Sequence, residues 1–236
     1  MSNTFPIRWD LTPKEAIAFQ QELRARLILE DDFRGPVALV GGVDMSLRDE
    51  AATAAIAVFS FPTLEPRAEA VAQVPLTFPY IPGLLAFREG PAIEAAWQRL
   101  SAGKLPDLLM FDGHGIAHPR GLGIASQMGL LLDRPSIGVA KSILVGRHEP
   151  VPDVDGAWQP LIYRGKVVGA ALRLRPGVKP IYVSAGHRIS LSSAIEFVGA
   201  TGRGHKLPEP TRWAHKLAGG GHLPGVPKGQ GADSSA

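Results

Sequence analysis

The stretch LLMFDGHGIAHPRGLGIAS, residues 108–126, joins a candidate buried strand to a glycine-rich loop and then to a helix. The apolar run ends at a single acid, Asp112, and the loop after it contains four glycines, two histidines and an arginine. Apolar spacing then resumes and predicts a helix over about 122–132. Since glycine lets backbone groups approach closely, this stretch predicts a functional edge of the sheet.

The segments on either side of this stretch predict a mixed sheet. Upstream, short turns join three candidate strands into an antiparallel meander, at 37–47, 51–61 and 66–76. A helix near 91–100, the strand that ends at Asp112, the 122–132 helix and the strand SIGVAKS alternate, which indicates parallel pairing. Downstream lie a hairpin at about 158–175, the segment PIYVSAGHRI, and helices near 192–199 and 210–218. The order predicts an α/β fold, a mixed sheet with helices on both faces.

The chain opens with a candidate packing helix, LTPKEAIAFQQELRARLILED. Thr12 is the expected N-cap, Pro13 suits the first helical position, and Glu15 completes a capping box. The apolar stripe that we expect to face the core contains Ile17, Leu23, Leu27 and Ile28.

Composition limits the class of protein. The 236 residues are 45% hydrophobic, enough for one large domain, and there is no apolar run near the length of a membrane span or secretory signal. We therefore expect a cytoplasmic protein with one domain at 1–217. The last stretch, 218–236, is rich in glycine and proline, and we expect it to be disordered because it offers little apolar surface to bury. The pI of about 9.3 is compatible with a polyanionic partner or with a slightly basic surface.

Three acids form a candidate metal site. Asp44 interrupts the first apolar strand, so if that strand lies beside the one ending at Asp112, both carboxylates enter one cleft. Glu89 precedes Gly90 and Pro91, which predict a break in the helical pattern and a helix restarting at Pro91. Like charges so close need a cation. Because the chain has no cysteine, a metal must be held by oxygen or imidazole, which favours Mg²⁺.

The segment PYIP, Pro79–Pro82, has two readings. The two prolines stiffen it, so Tyr80 and Ile81 could form an apolar blade that enters a base stack and fills the gap left by a flipped nucleotide. A proline-rich turn with its aromatic side chain packed inward is the alternative.

The chain contains, in this order, GGVDMSL, PYIPGLLAFRE, FDGHGIAHPRGLGIAS, GVAKS, PIYVSAGHRISL and PTRWAH. In this order the segments resemble endonuclease V, a family of nucleases that act on deaminated purines in repair and whose fold resembles ribonuclease H. The resemblance covers roughly residues 10–217. It implies an enzyme that cleaves one strand at the second phosphodiester bond on the 3′ side of inosine, leaving a 3′ hydroxyl and a 5′ phosphate. Mg²⁺ is the implied cofactor, with Mn²⁺ as a substitute, and the implied protein is a monomer.

The resemblance also implies residue roles. Asp44, Glu89 and Asp112 would bind the metal, and Lys141 and His215 would assist at the phosphate. Tyr80 would be the wedge that separates the strands. His118 and Arg120 would contact phosphates or hold the loop. We expect the pocket for the base to be lined by Gly83, Leu85, Gly113, Gly121, Gly123 and Ile124.

One position departs from the family pattern, since Gln127 stands where a histidine is expected, and glutamine cannot carry a charge.

Other functions remain open from the sequence: a related nuclease for branched or abasic nucleic acid, an inosine-binding module without turnover, or a repair scaffold. An intact metal cluster argues against the last two. The sequence leaves open whether RNA is a substrate besides DNA, because wedge insertion specifies no 2′-hydroxyl contact. The number of metal ions is open as well.

Overall fold

The computed structural model describes residues 8–227 as one mixed sheet of eight strands with helices packed against it. The strands are β1 Leu39–Arg48, β2 Ala51–Ser60, β3 Pro66–Pro75, β4 Leu108–Phe111, β5 Ser136–Ala140, β6 Trp158–Tyr163, β7 Lys166–Leu172 and β8 Ile181–His187. The helices are α1 Pro13–Arg24, α2 Leu85–Gln98, α3 Ile124–Leu131, α4 Leu191–Ala200 and α5 Glu209–Ala218, with a short 3-10 turn at Ala102–Lys104.

The strand order is β3-β2-β1-β4-β5-β8-β7-β6. β1, β2 and β3 form the predicted antiparallel meander, and β4 pairs in parallel with both β1 and β5. The remaining neighbours, β5 with β8, β8 with β7 and β7 with β6, are antiparallel. The predicted mixed sheet is confirmed, and its parallel centre brings the ends of β1 and β4 together.

Alternating side chains of the strands build a core on each face of the sheet. On β4, Leu108 and Met110 pack with α4 and α5, whereas Leu109 and Phe111 pack with α2 and α3. The approach of α5 to β1 is close enough to require Gly42, because a Cβ there would lie 2.0 Å from the carbonyl carbon and oxygen of Pro210. Helices on both faces were predicted correctly, and none in residues 8–227 has the length and apolar content needed to cross a bilayer.

The N-terminal helix is shorter than predicted. Its capping box is present, with Thr12 and Glu15 bonded reciprocally, but the helix ends at Arg24. The predicted stripe is wrong at Ile17, which is exposed, since the buried face consists of Ala16, Phe19, Gln20 and Leu23. After α1 the chain runs alongside the end of β8, where the amide of Ile28 donates to His187 Nδ1 and its carbonyl accepts from Arg188.

The predicted helix start at Pro91 is also wrong. α2 begins at Leu85 and continues through Gly90 and Pro91, so Glu89 lies within a helix and not at a junction. Proline removes only one backbone donor, and the packing of the helix against β2 and β3 offsets this loss. Gly90 has a packing role instead, because a Cβ there would lie 2.1 Å from the Trp9 ring.

The stretch 218–236 was expected to be disordered because it offers little apolar surface to bury, but residues 218–227 pack on the domain. Leu223 is fully buried, and Val226 is buried beside it in the core that contains α4 and α5. The Glu69 carboxylate on β3 accepts from the Leu223 amide at 2.7 Å and hydrogen-bonds to His222 Nδ1. The apolar residues of this glycine-rich stretch are few, but β3 and α5 bury them. The remaining part of the predicted tail, 228–236, lies outside the described residues, and the domain boundary stays a prediction.

Candidate metal and nucleic-acid site

Two aspartates meet at the centre of the sheet. Asp44 is a buried residue of β1, and Asp112 directly follows β4, where its amide donates to the Val43 carbonyl at 2.9 Å. Since β1 and β4 are parallel neighbours, both carboxylates lie at the same point of the sheet, as predicted. With His215 they form a group whose ligand atoms all lie within 4.8 Å of one another. We call Asp44, Asp112 and His215 the metal group.

His215 reaches this group from α5. Its Nδ1 lies 2.6 Å from Asp44 Oδ2, while much of the ring remains exposed to solvent. The close packing of the start of α5 on β1 at Gly42 positions the ring. An imidazole held by a buried carboxylate at one nitrogen keeps its other nitrogen available for a ligand or a proton.

Burial and mutual repulsion oppose the ionisation of the acids. Burial raises the pKa of Asp44, and the nearby charge of Asp112 raises it further. Burial, followed by the charges of Asp44 and Asp112, raises the pKa of Glu89 to about 8. Three carboxylates in this arrangement are stable as anions only with compensating positive charge. Carboxylate oxygens are the donors that suit a hard divalent cation, so these acids form a candidate site for one.

Lys141 supplies part of that positive charge. It follows β5, the parallel neighbour of β4, and its Nζ forms an ion pair with Asp112 Oδ2. Glu89 approaches from α2 on one face of the sheet. Among the described residues it is not part of the metal group, although both aspartates affect its pKa. The structure therefore brings Asp44, Asp112, Lys141 and His215 into contact and leaves Glu89 beside them.

A cavity of about 190 Å³ lies next to this group, and we call it the apolar cavity. It is smaller than the sites of drug-sized ligands, which are about 300–1,000 Å³. Eight residues of the predicted wedge and pocket line it, together with His118; these eight are Tyr80, Ile81, Pro82, Gly83, Leu85, Gly113, Gly123 and Ile124. The wall is tightly built, since a Cβ at Gly113 would lie 2.6 Å from Ile124 Cγ2 and one at Gly123 would lie 2.2 Å from the His114 carbonyl oxygen.

The PYIP segment forms the outer rim of the apolar cavity. Tyr80 is 69% exposed, and both flanking prolines, Pro79 and Pro82, are exposed as well. The alternative with the aromatic ring packed inward is therefore wrong for this chain. A large, solvent-exposed aromatic side chain on a stiff segment beside a cavity is the arrangement that a wedge requires.

One predicted pocket residue, Gly121, is absent from the lining of the apolar cavity. Pro79 of the wedge segment is absent from it as well, so the rim consists of Tyr80, Ile81 and Pro82. Gly121 has a φ of +67°, and a Cβ there would lie 2.4 Å from Arg24 Nε, so this glycine permits the close packing of Arg24 on the loop. Gly121 ends a turn that begins at His118, because its amide donates to the His118 carbonyl at 2.9 Å.

Gln20 is a cavity residue that the sequence analysis missed. It is buried on α1, its Nε2 donates to the Gly83 carbonyl at 3.0 Å, and its Oε1 accepts from Arg120 Nε at 2.7 Å. Arg120 also donates to the Gly83 carbonyl, so Gln20 and Arg120 together tie the wedge segment to the loop after β4. The sequence signal that could have revealed Gln20 is its spacing, four residues after Ala16 and three before Leu23, which puts this polar side chain on the buried face of the helix. The other missed lining residues are Ala86, His114, Leu122 and Leu144.

The two loop histidines are uncharged at neutral pH. Burial lowers the pKa of His114 and of His118 to about 4, and the Arg120 charge contributes at His118. Both line the apolar cavity, and neither belongs to the metal group found among the described residues. His118 Nδ1 accepts from the Arg120 amide at 3.2 Å, so the observed contacts of this pair hold the loop.

Gln127 lies behind this network and not in the cavity wall. It is fully buried on α3, and its Oε1 accepts from Gln20 Nε2 at 3.5 Å. Its own Nε2 has no hydrogen-bond partner among the described residues. The position therefore makes no charged contact in this chain, as its neutral amide implied.

Comparisons with known proteins agree on one family. The model of the endonuclease V family matches residues 21–216. Endonuclease V of Trichormus variabilis is 52% identical over 215 residues, which is 90% of this chain and 96% of that protein. Endonuclease V of a Roseiflexus species is 52% identical over 224 residues, which is 95% of this chain and all of that protein.

Solved structures give the same result. The crystal structure of endonuclease V from Streptomyces avermitilis superposes with a TM-score of 0.84 at 40% identity, covering 92% of this chain and 96% of that one. Endonuclease V of Ciona intestinalis, in complex with a 24mer DNA containing an inosine followed by a ribo-adenosine, superposes with a TM-score of 0.77 at 30% identity, covering 88% of this chain and 96% of that one. The predicted ribonuclease H-like fold is thereby confirmed. The family model matches most of the chain, and relatives from this family share about half of its residues. The chain therefore belongs to the endonuclease V family of nucleases.

Proposed function

We propose that this chain is a Mg²⁺-dependent endonuclease that repairs deaminated bases in DNA. It accepts a flipped inosine base in the apolar cavity and hydrolyses the second phosphodiester bond on its 3′ side, leaving a 3′ hydroxyl and a 5′ phosphate. The observation that carries this proposal is the position of the metal group, Asp44, Asp112 and His215, beside a cavity rimmed by Tyr80. The DNA complex of the Ciona relative supports inosine-containing DNA as the substrate class.

Mg²⁺ is the proposed cofactor, and Mn²⁺ is the proposed substitute. Asp44 and Asp112 would hold the ion, with the Glu89 carboxylate beside them and His215 paired with Asp44. When bound, a divalent cation activates water for attack on phosphorus and stabilises the leaving oxygen. The carboxylates of the two aspartates and of Glu89 offer the oxygen ligands that suit both Mg²⁺ and Mn²⁺.

The protein side chains contribute positioning and proton transfer. Asp44 orients the His215 ring through Nδ1, so Nε2 is the atom at which a proton is held or moved. The Lys141 ammonium, paired with Asp112, lies where it neutralises a phosphate that approaches the same aspartate. The exposed Tyr80 ring stacks in the gap left by the flipped base, and the glycines of the loop let backbone groups reach that base.

A cleavage assay tests this function against the alternatives. Two labelled oligonucleotides, one with a single inosine and one unmodified, are incubated with the protein in Mg²⁺ or in EDTA. We expect one cut at the second bond 3′ to inosine, present in Mg²⁺ only, and no cut in the unmodified strand. Preferential cutting at an abasic site or a branch would replace the proposal with the related nuclease activity. Binding to inosine without any cut in Mg²⁺ or Mn²⁺ would leave a binding module.

The same assay with an inosine-containing RNA strand measures whether RNA is a second substrate.

We further propose a monomer that acts in the cytoplasm. The monomer is supported by the origin of Asp44, Asp112, Lys141 and His215, which all come from one chain. The cytoplasmic location is supported by the proposed nucleic-acid substrate.

A further inference from the structure

A second concave surface lies on the other side of the loop that follows β4. It encloses about 670 Å³, and we call it the basic groove. The end of α1, the 116–121 part of the loop and the turn between β6 and β7 form its walls. Four of its lining residues are cationic, and none is an aspartate or glutamate; the cations are Arg24, Arg120, Arg164 and Lys166.

Most of these cations lack an anionic partner within the described part of the chain. Arg24 packs its guanidinium on Gly121, and neither it nor Lys166 forms an ion pair or a side-chain hydrogen bond among residues 8–227. The Arg164 guanidinium lies 5.0 Å from the centre of the Tyr163 ring. Unpaired cations that repel one another, next to an aromatic ring, are the features of a surface that binds a single nucleic-acid strand.

The basic groove adjoins the apolar cavity across the loop that follows β4. His118 lines both, and Arg120 reaches from the groove to the Gly83 carbonyl in the cavity wall. Asp112 of the metal group lies at the opposite end of the same loop, whose next residues, Gly113 and His114, line the cavity. Along the loop, the cavity therefore lies between the metal group and the basic groove.

We propose that the basic groove binds the phosphates of the cleaved strand on the 5′ side of the flipped base. The inference rests on the proposed function, since a scissile bond on the 3′ side directs the 3′ part of the strand across the metal group. The 5′ part then leaves the cavity on the opposite side, where Arg24, Arg164 and Lys166 meet it. Phosphate contacts of this kind increase affinity for any base sequence.

The test compares a double variant, Arg164→Gln with Lys166→Gln, with a control of equal charge change. The control is Arg175→Gln with Lys179→Gln, two exposed residues in the segment after β7, whereas the groove residues lie before and at its start. Binding is measured in Ca²⁺ to three single strands that contain one inosine. One has long flanks on both sides, one begins at the inosine and lacks the 5′ flank, and one ends two nucleotides 3′ of it.

We expect the groove variant to bind the long strand and the 3′-truncated strand about tenfold more weakly than the wild type. Its affinity for the strand without a 5′ flank should equal that of the wild type, and the control should match the wild type on all three strands. The slope of log affinity against log salt on the long strand should fall by about 1.4, from about 0.7 for each of two lost contacts. Equal losses with and without the 5′ flank, a loss that follows the 3′ flank, or no loss would each overturn the inference.

Failure of the proposed function gives a different result. In that case the wild type itself would not distinguish inosine from unmodified strands, whatever the flanks. If the wild type selects inosine and the groove variant binds every strand normally, only the inference about the groove is wrong.

Discussion

At the scale of single residues, the site combines buried acids that repel one another with one lysine and one histidine. Asp44 and Asp112 are held rigidly by two central strands, so they cannot move apart to relieve the repulsion. Lys141 pairs with Asp112 and His215 with Asp44. Each aspartate thus has one charged or polar side-chain partner, whereas for Glu89 beside them it is the charge of Arg88 that lowers the pKa, against the larger effects of burial and of the two aspartates.

Asp44→Asn and Asp112→Asn should each reduce cleavage of an inosine-containing strand by about 10³-fold or more. The amide keeps the shape but removes a charge worth several kcal/mol of transition-state stabilisation through the ion. Binding in Ca²⁺ should fall much less, because affinity comes mainly from phosphate and base contacts. The measurements are single-turnover cleavage rates and equilibrium binding, with exposed Asp155→Asn as control. Near-normal cleavage by both variants would remove the metal group from the mechanism.

Glu89→Gln should stabilise the metal-free protein at alkaline pH. The folded protein holds the pKa of Glu89 near 8, whereas an unfolded chain ionises it near 4.5, so the folded state binds the extra proton between these values. The stability of the metal-free wild type therefore falls as pH rises from about 4.5 to 8. The variant avoids this loss, which is roughly 2–4 kcal/mol at pH 8 by linkage.

Thermal melts at pH 5 and pH 8, with EDTA and with Mg²⁺, check this prediction. The metal-free variant should melt above the wild type at pH 8 and level with it at pH 5, and it should gain less from Mg²⁺. The control is Glu196→Gln, an exposed residue of α4, which should melt like the wild type throughout. A variant that melts with the wild type at pH 8 without metal would show that the fold does not raise the pKa of Glu89.

At the scale of helices and strands, local patterns predicted the strands better than the helices. The three strands of the meander came within two residues of their observed ends, because turn residues bound each apolar run on both sides. The bounds of α2 failed because Pro91 gives a strong local signal for a helix start. What permits the longer helix is its packing on β2 and β3, which are contacts between segments distant in sequence.

In the candidate site, too, the residues placed by local patterns were predicted, and those placed by contacts between distant segments were not. Asp44 and Asp112 could be paired from the sequence because each interrupts or ends an apolar strand. Parallel pairing of the two strands then places both carboxylates at the same edge of the sheet. The position of α5, which decides that His215 meets Asp44, depends on a close helix–strand approach at Gly42 that no local pattern reveals. Gln20 was missed for a related reason, since its partners Gly83 and Arg120 come from other segments.

The PYIP segment should act as a separable element. Tyr80→Ala should weaken binding to an inosine-containing duplex by about tenfold or more, since unstacking costs a few kcal/mol that the ring no longer offsets. A single strand has little stack to open, so its affinity should fall much less. Binding of both substrates in Ca²⁺ at one fixed salt concentration measures the difference.

Gly113→Val provides the contrasting variant for the wedge. Its side chain would collide with Ile124 in the wall of the apolar cavity and change the shape of that wall, so duplex and single strand should lose affinity alike. Equal losses on both substrates for Tyr80→Ala would mean that the tyrosine lines the cavity for the base, and the wedge interpretation would have to be abandoned.

At the scale of the whole molecule, one sheet separates two cores, and the site lies where its central strands end. The core on the α4 and α5 face is completed by the segment after α5, through Leu223 and Val226. That segment is attached to β3 by the two bonds of Glu69 to His222 and Leu223. Since α5 carries His215, the segment stabilises the same helix that completes the metal group.

Deleting residues 222–236 should therefore destabilise the protein, whereas deleting 228–236 keeps both buried side chains and should cost much less. Full burial of a leucine or valine side chain contributes about 1.5–3 kcal/mol, so losing the two costs roughly 3–6 kcal/mol. For a domain of this size each kcal/mol lowers Tm by about 2–4 °C, so the protein with the longer deletion should melt at a Tm about 10 °C lower.

Leu223→Ala, which leaves the chain length unchanged, should also lower Tm, because it leaves a cavity in the core. Melts in EDTA separate this effect from metal binding. If both deletions and Leu223→Ala melt with the full chain, the segment after α5 does not contribute to the core in solution.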